Sequence, residues 1–194
     1  MQTEISGSTG VNKIQDGTVV NADINSSAAI AGSKLVMPTG SVLQVTQGVL
    51  TSVFSFTGST TWTDTGITAN ITPSSTSSKI LVMVSCALGM SVSAVNVRLR
   101  IVRDGSTVVG SSTADAGNSF SHREQNQSGN LYTRFLESYQ YLDSPSSTSQ
   151  ETYKVQMYRN TSVNAGTAYI NRGDADQSRQ YSTITLMEIA GWVQ

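Results

Sequence analysis

One cysteine and one histidine limit the catalysis open to this 194-residue chain. Cys86 lies inside the apolar run "KILVMVSCALGM", which reads as a buried, inert thiol rather than a nucleophile. It also excludes an intrachain disulfide framework. A Ser-His-Asp triad would have to use His122, the single histidine. His122 sits in "SFSHREQNQSG", which carries neither a nucleophile elbow nor an oxyanion signature and reads as an exposed polar loop. One His and one Cys cannot supply the three or four ligands of a zinc site within one copy. Three copies of a histidine on a symmetry axis are the remaining arrangement.

Paired carboxylates for glycoside cleavage are a matter of spatial separation. Five of the thirteen acids, Asp16, Asp104, Glu137, Asp143 and Asp174, stand directly beside Gly or Ser, where Asp serves as a turn former, and no two of the thirteen make a recognisable motif. "NRGDADQSRQ" contains Arg172-Gly173-Asp174, a tripeptide frequent by chance, which reads as a hairpin turn between "TAYI" and "YSTITL". Asn171, Asp174 and Asp176 offer hard oxygen ligands, but their spacing lacks the length and closing Glu of a calcium loop. The sequons at Asn25, Asn70, Asn126 and Asn160 follow from the abundance of Ser and Thr. The chain therefore reads as non-enzymatic, with no catalytic residue, metal or cofactor.

Net charge is −1 and charged residues are 13% of the chain, about half the usual share of roughly 25%. No run of Lys and Arg exists to hold nucleic acid or an acidic membrane surface. The opening "MQTEISGSTG" lacks the pattern of a signal peptide. The longest apolar run, near residues 80–90, is shorter than the ~20 residues of a bilayer span. Neither nucleic acid nor membrane insertion is expected.

The elements that would position any site are strands. "VNVRLRIVRDGSTVVGS" sets Val95, Val97, Leu99 and Ile101 on one face against Asn96, Arg98 and Arg100, with Asp104-Gly105 as a hairpin signal. "TYKVQMYRN" alternates Tyr153, Val155 and Met157 against Lys154, Gln156 and Tyr158. "TTWTDTGITANITP" reads as strand, turn at Gly66, then a short strand stopped by Pro73. "SSKILVMVSCALGMS" is continuous enough for a central strand buried on both faces or in a subunit contact. "SVLQVTQGVLTSVFSFT", "NLYTRFLESYQYLD", "GTAYINR" and "YSTITLMEIA" complete about eight to ten strands, with no amphipathic helix. The fold class is all-β: a jelly-roll-like antiparallel β-sandwich over residues 41–194. Apolar and Tyr positions exceed what one such sandwich needs.

Residues 1–40 differ in kind. "IQDGTVVNADINSSAAIAGSKL" carries four spaced apolar anchors, Ile14, Ile24, Ile30 and Leu35, among small polar residues. They suit an extended N-terminal arm that becomes ordered only on other subunits.

This stretch resembles the N-terminal and collar segments of tailed-bacteriophage fibre proteins. "TDTGITANITPSSTSSKILVMVS" and "YSTITLMEIAG" are similar to the opening and closing strands of the heads that follow such segments. Those heads resemble the trimeric jelly rolls of the tumour-necrosis-factor and complement type. The resemblance implies a virion surface protein, a homotrimer bound to other virion proteins by its arm, with a head that meets a host glycan or protein. Shaft repeats are missing between Lys34 and the first head strand. That points to a short fibre, a fibre tip or a capsid decoration protein. An unrelated jelly-roll binding module is the reading outside the family.

Overall fold

The computed structural model describes residues 37–57, 61–91, 96–110, 119–124, 133–160, 166–172 and 180–191. Eleven strands run through them in order: β1 (Val42–Leu50), β2 (Phe54–Phe56), β3 (Thr63–Ile71), β4 (Lys79–Met90), β5 (Asn96–Arg103), β6 (Thr107–Val109), β7 (Ser121–Glu124), β8 (Thr133–Asp143), β9 (Glu151–Asn160), β10 (Ala168–Ile170) and β11 (Ser182–Ile189). Every ladder among them is antiparallel.

Three pairs of short strands are each one interrupted ribbon. β10 and β11 lie on the same edge of β4, at Leu88–Met90 and Lys79–Ser85. β2 and β1 continue that arrangement on the far side of β10 and β11. β6 and β7 share one edge of β5 in the same way. Eight ribbons therefore form two four-ribbon sheets. Sheet A runs β1/β2, β11/β10, β4, β8, and sheet B runs β3, β9, β5, β6/β7. Consecutive ribbons alternate between the sheets in the first half of the chain, and the last ribbon returns beside the first. This is the connectivity of a jelly roll.

Period-2 alternation builds the core. Val82, Val84, Ile184 and Leu186 of sheet A face Ile67, Leu99, Ile101, Val155 and Met157 of sheet B, all at most 2% exposed. At one side the sheets are tied directly: Thr46 Oγ1 of β1 donates to Asn70 O of β3 at 2.9 Å.

Four local expectations change. Gly66 is not a turn. It sits at φ 89° inside a continuous β3, where the register with β9 slips between Asp64 and Thr68. A glycine in that conformation makes a bulge that bends the strand without ending it. His122 is not in a loop; it pairs opposite Arg98 within β7. The span after β10 is not a hairpin, because β10 and β11 do not pair with each other. β10 and β11 lie along the same edge of β4, and Gln180 N donates to Asn171 O at 3.4 Å. Finally, β4 is central but buried on both faces only over its second half; Lys79, Leu81, Met83 and Ser85 are half-buried. The hairpin expected at Asp104-Gly105 is present, with φ 49° and 79° joining β5 to β6.

Ile14, Ile24, Ile30 and Leu35 lie outside the described residues, as do Gly173, Asp174 and Asp176. Residues 37–40, the end of the expected arm, are described. Gly40 N donates to Ala190 O at 2.9 Å, and Ser41 N to Pro38 O at 3.0 Å.

Candidate interaction face

Among the described residues, several groups that could do chemistry are occupied with holding the fold. Cys86 is fully buried, and loss of solvation pushes its thiol up to about 12, so thiolate chemistry is suppressed. Beside it Ser182 Oγ donates to Asn171 Oδ1 at 2.6 Å and accepts from Ala87 N at 3.0 Å. Asn171 Nδ2 donates to Leu50 O and Ser52 O, so this trio stitches three ribbons of sheet A. Arg103 is paired to Asp143 and, at 3.3 Å, to Glu151, while Tyr153 OH donates to Asp143 at 2.8 Å. Among the described residues, no group of three His, Cys, Asp or Glu could hold a metal ion.

Glu188 is the carboxylate that reasoning from turn contexts misses. It is fully buried on β11. Its Oε1 accepts from Ser74 N at 2.7 Å and from the hydroxyls of Ser74 and Ser78 at 2.6 Å. Its Oε2 accepts from Gln44 Nε2 at 2.6 Å. Burial raises the carboxyl pKa, but the hydrogen bonds from Ser74, Ser78 and Gln44 outweigh it and hold the group below its ordinary value. The signal was available: "STITLMEIA" places Ser182, Ile184, Leu186 and Glu188 on one inward face.

Among the described residues, the outward face of sheet A is an extended surface without a partner. The register lays out a row Val45–Met187–Leu81–Leu142 across all four ribbons. A second row runs Gln47–Thr185–Met83–Gln140, and a third Val49–Thr183–Ser85–Ser138. Leu136 follows, opposite Ala87. Val45 and Val49 are 54% and 50% exposed, Leu142 50% and Leu136 69%. None of these rows contains a charged side chain; Lys79 and Arg134 stand beyond them at opposite ends of β4 and β8. Isolated exposed apolar residues are ordinary, but contiguous rows of them mark interaction surfaces. β8 carries the sequence signal, because both its faces are apolar. Phe135 and Tyr139 pack on the core while Leu136 and Leu142 point out.

Searches of protein-family models gave no match. Nor did any curated protein match. Among solved structures, the chain is similar to T=1 particles derived from infectious bursal virus, at 14% identity and a TM-score of 0.39. That alignment covers 84% of this chain and 40% of the other. The Gx strain of infectious bursal disease virus matches at 12% identity and 0.35, covering 84% and 42%. The VP2 subviral particle of infectious bursal disease virus matches at 13% and 0.35, with the same coverage. The chain thus spans about two fifths of the structures it matches.

Proposed function

We propose that the chain is a non-enzymatic structural protein of a bacteriophage virion: a short trimeric tail fibre or fibre tip. Residues 1–40 attach it to other virion proteins through Ile14, Ile24, Ile30 and Leu35. The jelly-roll head over residues 41–194 self-associates and meets the host. The arm motif and the two head motifs support the virion assignment. Self-association rests on the uncharged, apolar-bearing outward face of sheet A. Copies of one face repel when they carry like charge, and these rows carry none. Burying a Val or Leu side chain contributes roughly 1.5–3 kcal/mol, so a few such residues per copy go far towards a stable assembly.

A capsid decoration trimer is the second reading. The short path from Leu35 to β1 at Val42, which leaves no room between them for a shaft, suits it as well as it suits a short fibre or fibre tip. Deleting residues 1–36 tests the arm: the head should stay folded and soluble yet fail to join virions. Incorporation at normal copy number would refute attachment by the arm. Copy number in the intact virion separates the two readings, since decoration approaches the number of capsid subunits and fibres number far fewer.

A further inference from the structure

Among the described residues, one cation on the outward face of sheet B, Arg100, has no carboxylate partner. Arg100 of β5 stacks on Trp62, with its guanidinium carbon 4.3 Å from the ring centroid. Its Nε and Nη2 both donate to Gln156 Oε1, at 2.9 and 2.8 Å. Gln156 Nε2 donates in turn to Asp64 Oδ1 at 2.7 Å, and Lys154 Nζ takes Asp64 Oδ2 at 2.8 Å. The carboxylate of this chain of contacts is therefore held by Lys154, and a neutral amide stands between it and Arg100. Arg100 is half-buried, and loss of solvation lowers its pKa, as befits an uncompensated cation. Its Nη1 makes no hydrogen bond among the described residues. Tyr158 packs on Trp62 at 5.4 Å and 43°, extending the aromatic surface beside the guanidinium.

We propose that Trp62, Tyr158 and Arg100 bind a saccharide bearing a carboxylate. The carboxylate takes the outer edge of the Arg100 fork and supplies the missing charge. The ring face of the sugar lies on the aromatic pair, which offers a flat apolar platform with polar edges. A protein partner is disfavoured by the absence of any large exposed hydrophobic residue on the described parts of β3, β5 and β9. The site deepens the virion-surface reading and rests on it for the source of the sugar, a host envelope. If copies associate through sheet A, sheet B is the face turned outward.

The test titrates the full chain with a glucuronate-containing hyaluronan tetrasaccharide, a neutral N-acetylglucosamine tetramer and inorganic phosphate. Tryptophan fluorescence and saturation-transfer difference NMR report binding. The acidic tetrasaccharide should bind saturably and perturb Trp62, with the signal lost in Trp62→Phe. Arg100→Gln should weaken it about tenfold or more, and Arg100→Lys should restore part of the loss. Circular dichroism and melting confirm that each variant is folded. Equal binding of the neutral tetramer, phosphate binding as tight as the acidic sugar, or an unaffected Arg100→Gln would each overturn the assignment. Absence of sugar binding by a chain that still joins virions removes the saccharide site alone. Binding by a chain absent from virions removes the virion reading alone.

Discussion

The two sheets share one core but present opposite surfaces. Sheet B links its outward polar groups to one another, with Lys154, Asp64, Gln156, Arg100 and Trp62 in one connected chain across three strands that leaves the Arg100 charge for a ligand. Sheet A leaves Val45, Val49, Leu136 and Leu142 in contact with water and carries no outward ion pair in its three rows. Its charge is hidden instead, in Glu188 on the inner face. A surface of linked polar groups suits water and a polar ligand, and a surface of unlinked apolar groups suits being covered. Alternating burial along the strands shows this difference poorly, because both sheets alternate; the chemistry of the outward residues separates them.

The largest effect should come from placing charge on the dry face. Val45→Asp with Leu142→Asp puts carboxylates at both ends of the first apolar row. If sheet A is covered by sister copies, the melting temperature of the unaltered chain rises with protein concentration, and in this double variant it does not. Thr68→Asp, on the outward face of sheet B, should keep the concentration dependence. Loss of dependence in both variants would show that the sheets do not differ as described.

Glu188 should come next. Replacement by Ala strands buried donors from Ser74, Ser78 and Gln44, each costing about 1–3 kcal/mol when left unmade. Glu188→Gln should lose less, since an amide oxygen still accepts. The pH dependence has a definite sign. The folded-state pKa lies below the unfolded value of about 4.5, so the stabilisation is complete above 4.5 and is lost as pH falls through the folded value. Denaturant titrations between pH 7 and 3 should show wild type losing this advantage over Glu188→Gln at the acid end. A constant difference would place the carboxylate's contribution elsewhere.

The smallest effect belongs to the Asp64–Lys154 pair. Its side chains are 46% and 35% exposed, and exposed ion pairs contribute about 0–1 kcal/mol. Lys154→Ala should therefore change stability by less than about 1 kcal/mol, and by still less in high salt. A loss matching that of Glu188→Ala would mean that sheet B depends on its outward network for folding.

The sequence made the strands legible where one face is apolar and the other polar. β5 and β9 alternate in sequence, and Val97, Leu99, Ile101, Tyr153, Val155 and Met157 are buried as expected, while Val95 lies outside the described residues. It also anticipated the jelly roll and the buried Cys86. It was misleading where a strand is interrupted or bent. Gly66 reads as a turn in one dimension because a bulge and a turn call on the same residue, and only the cross-strand partner decides. Polar "SFSHREQ" reads as loop because β7 is a four-residue continuation of β6, too short to show a period. The outward face of sheet A was harder still. Its rows draw single residues from four ribbons distant in sequence, and each ribbon shows only an extra Val or Leu. The anchors Ile14, Ile24, Ile30 and Leu35 rest on sequence pattern alone.

Sedimentation equilibrium of the full chain at micromolar concentration tests the central claim most directly. Coverage of sheet A by sister copies predicts a mass three times the 20.6 kDa of one chain, falling to a single chain in Val45→Asp/Leu142→Asp while the fold persists. A single-chain mass for the unaltered protein, or a trimer indifferent to that double substitution, would contradict it.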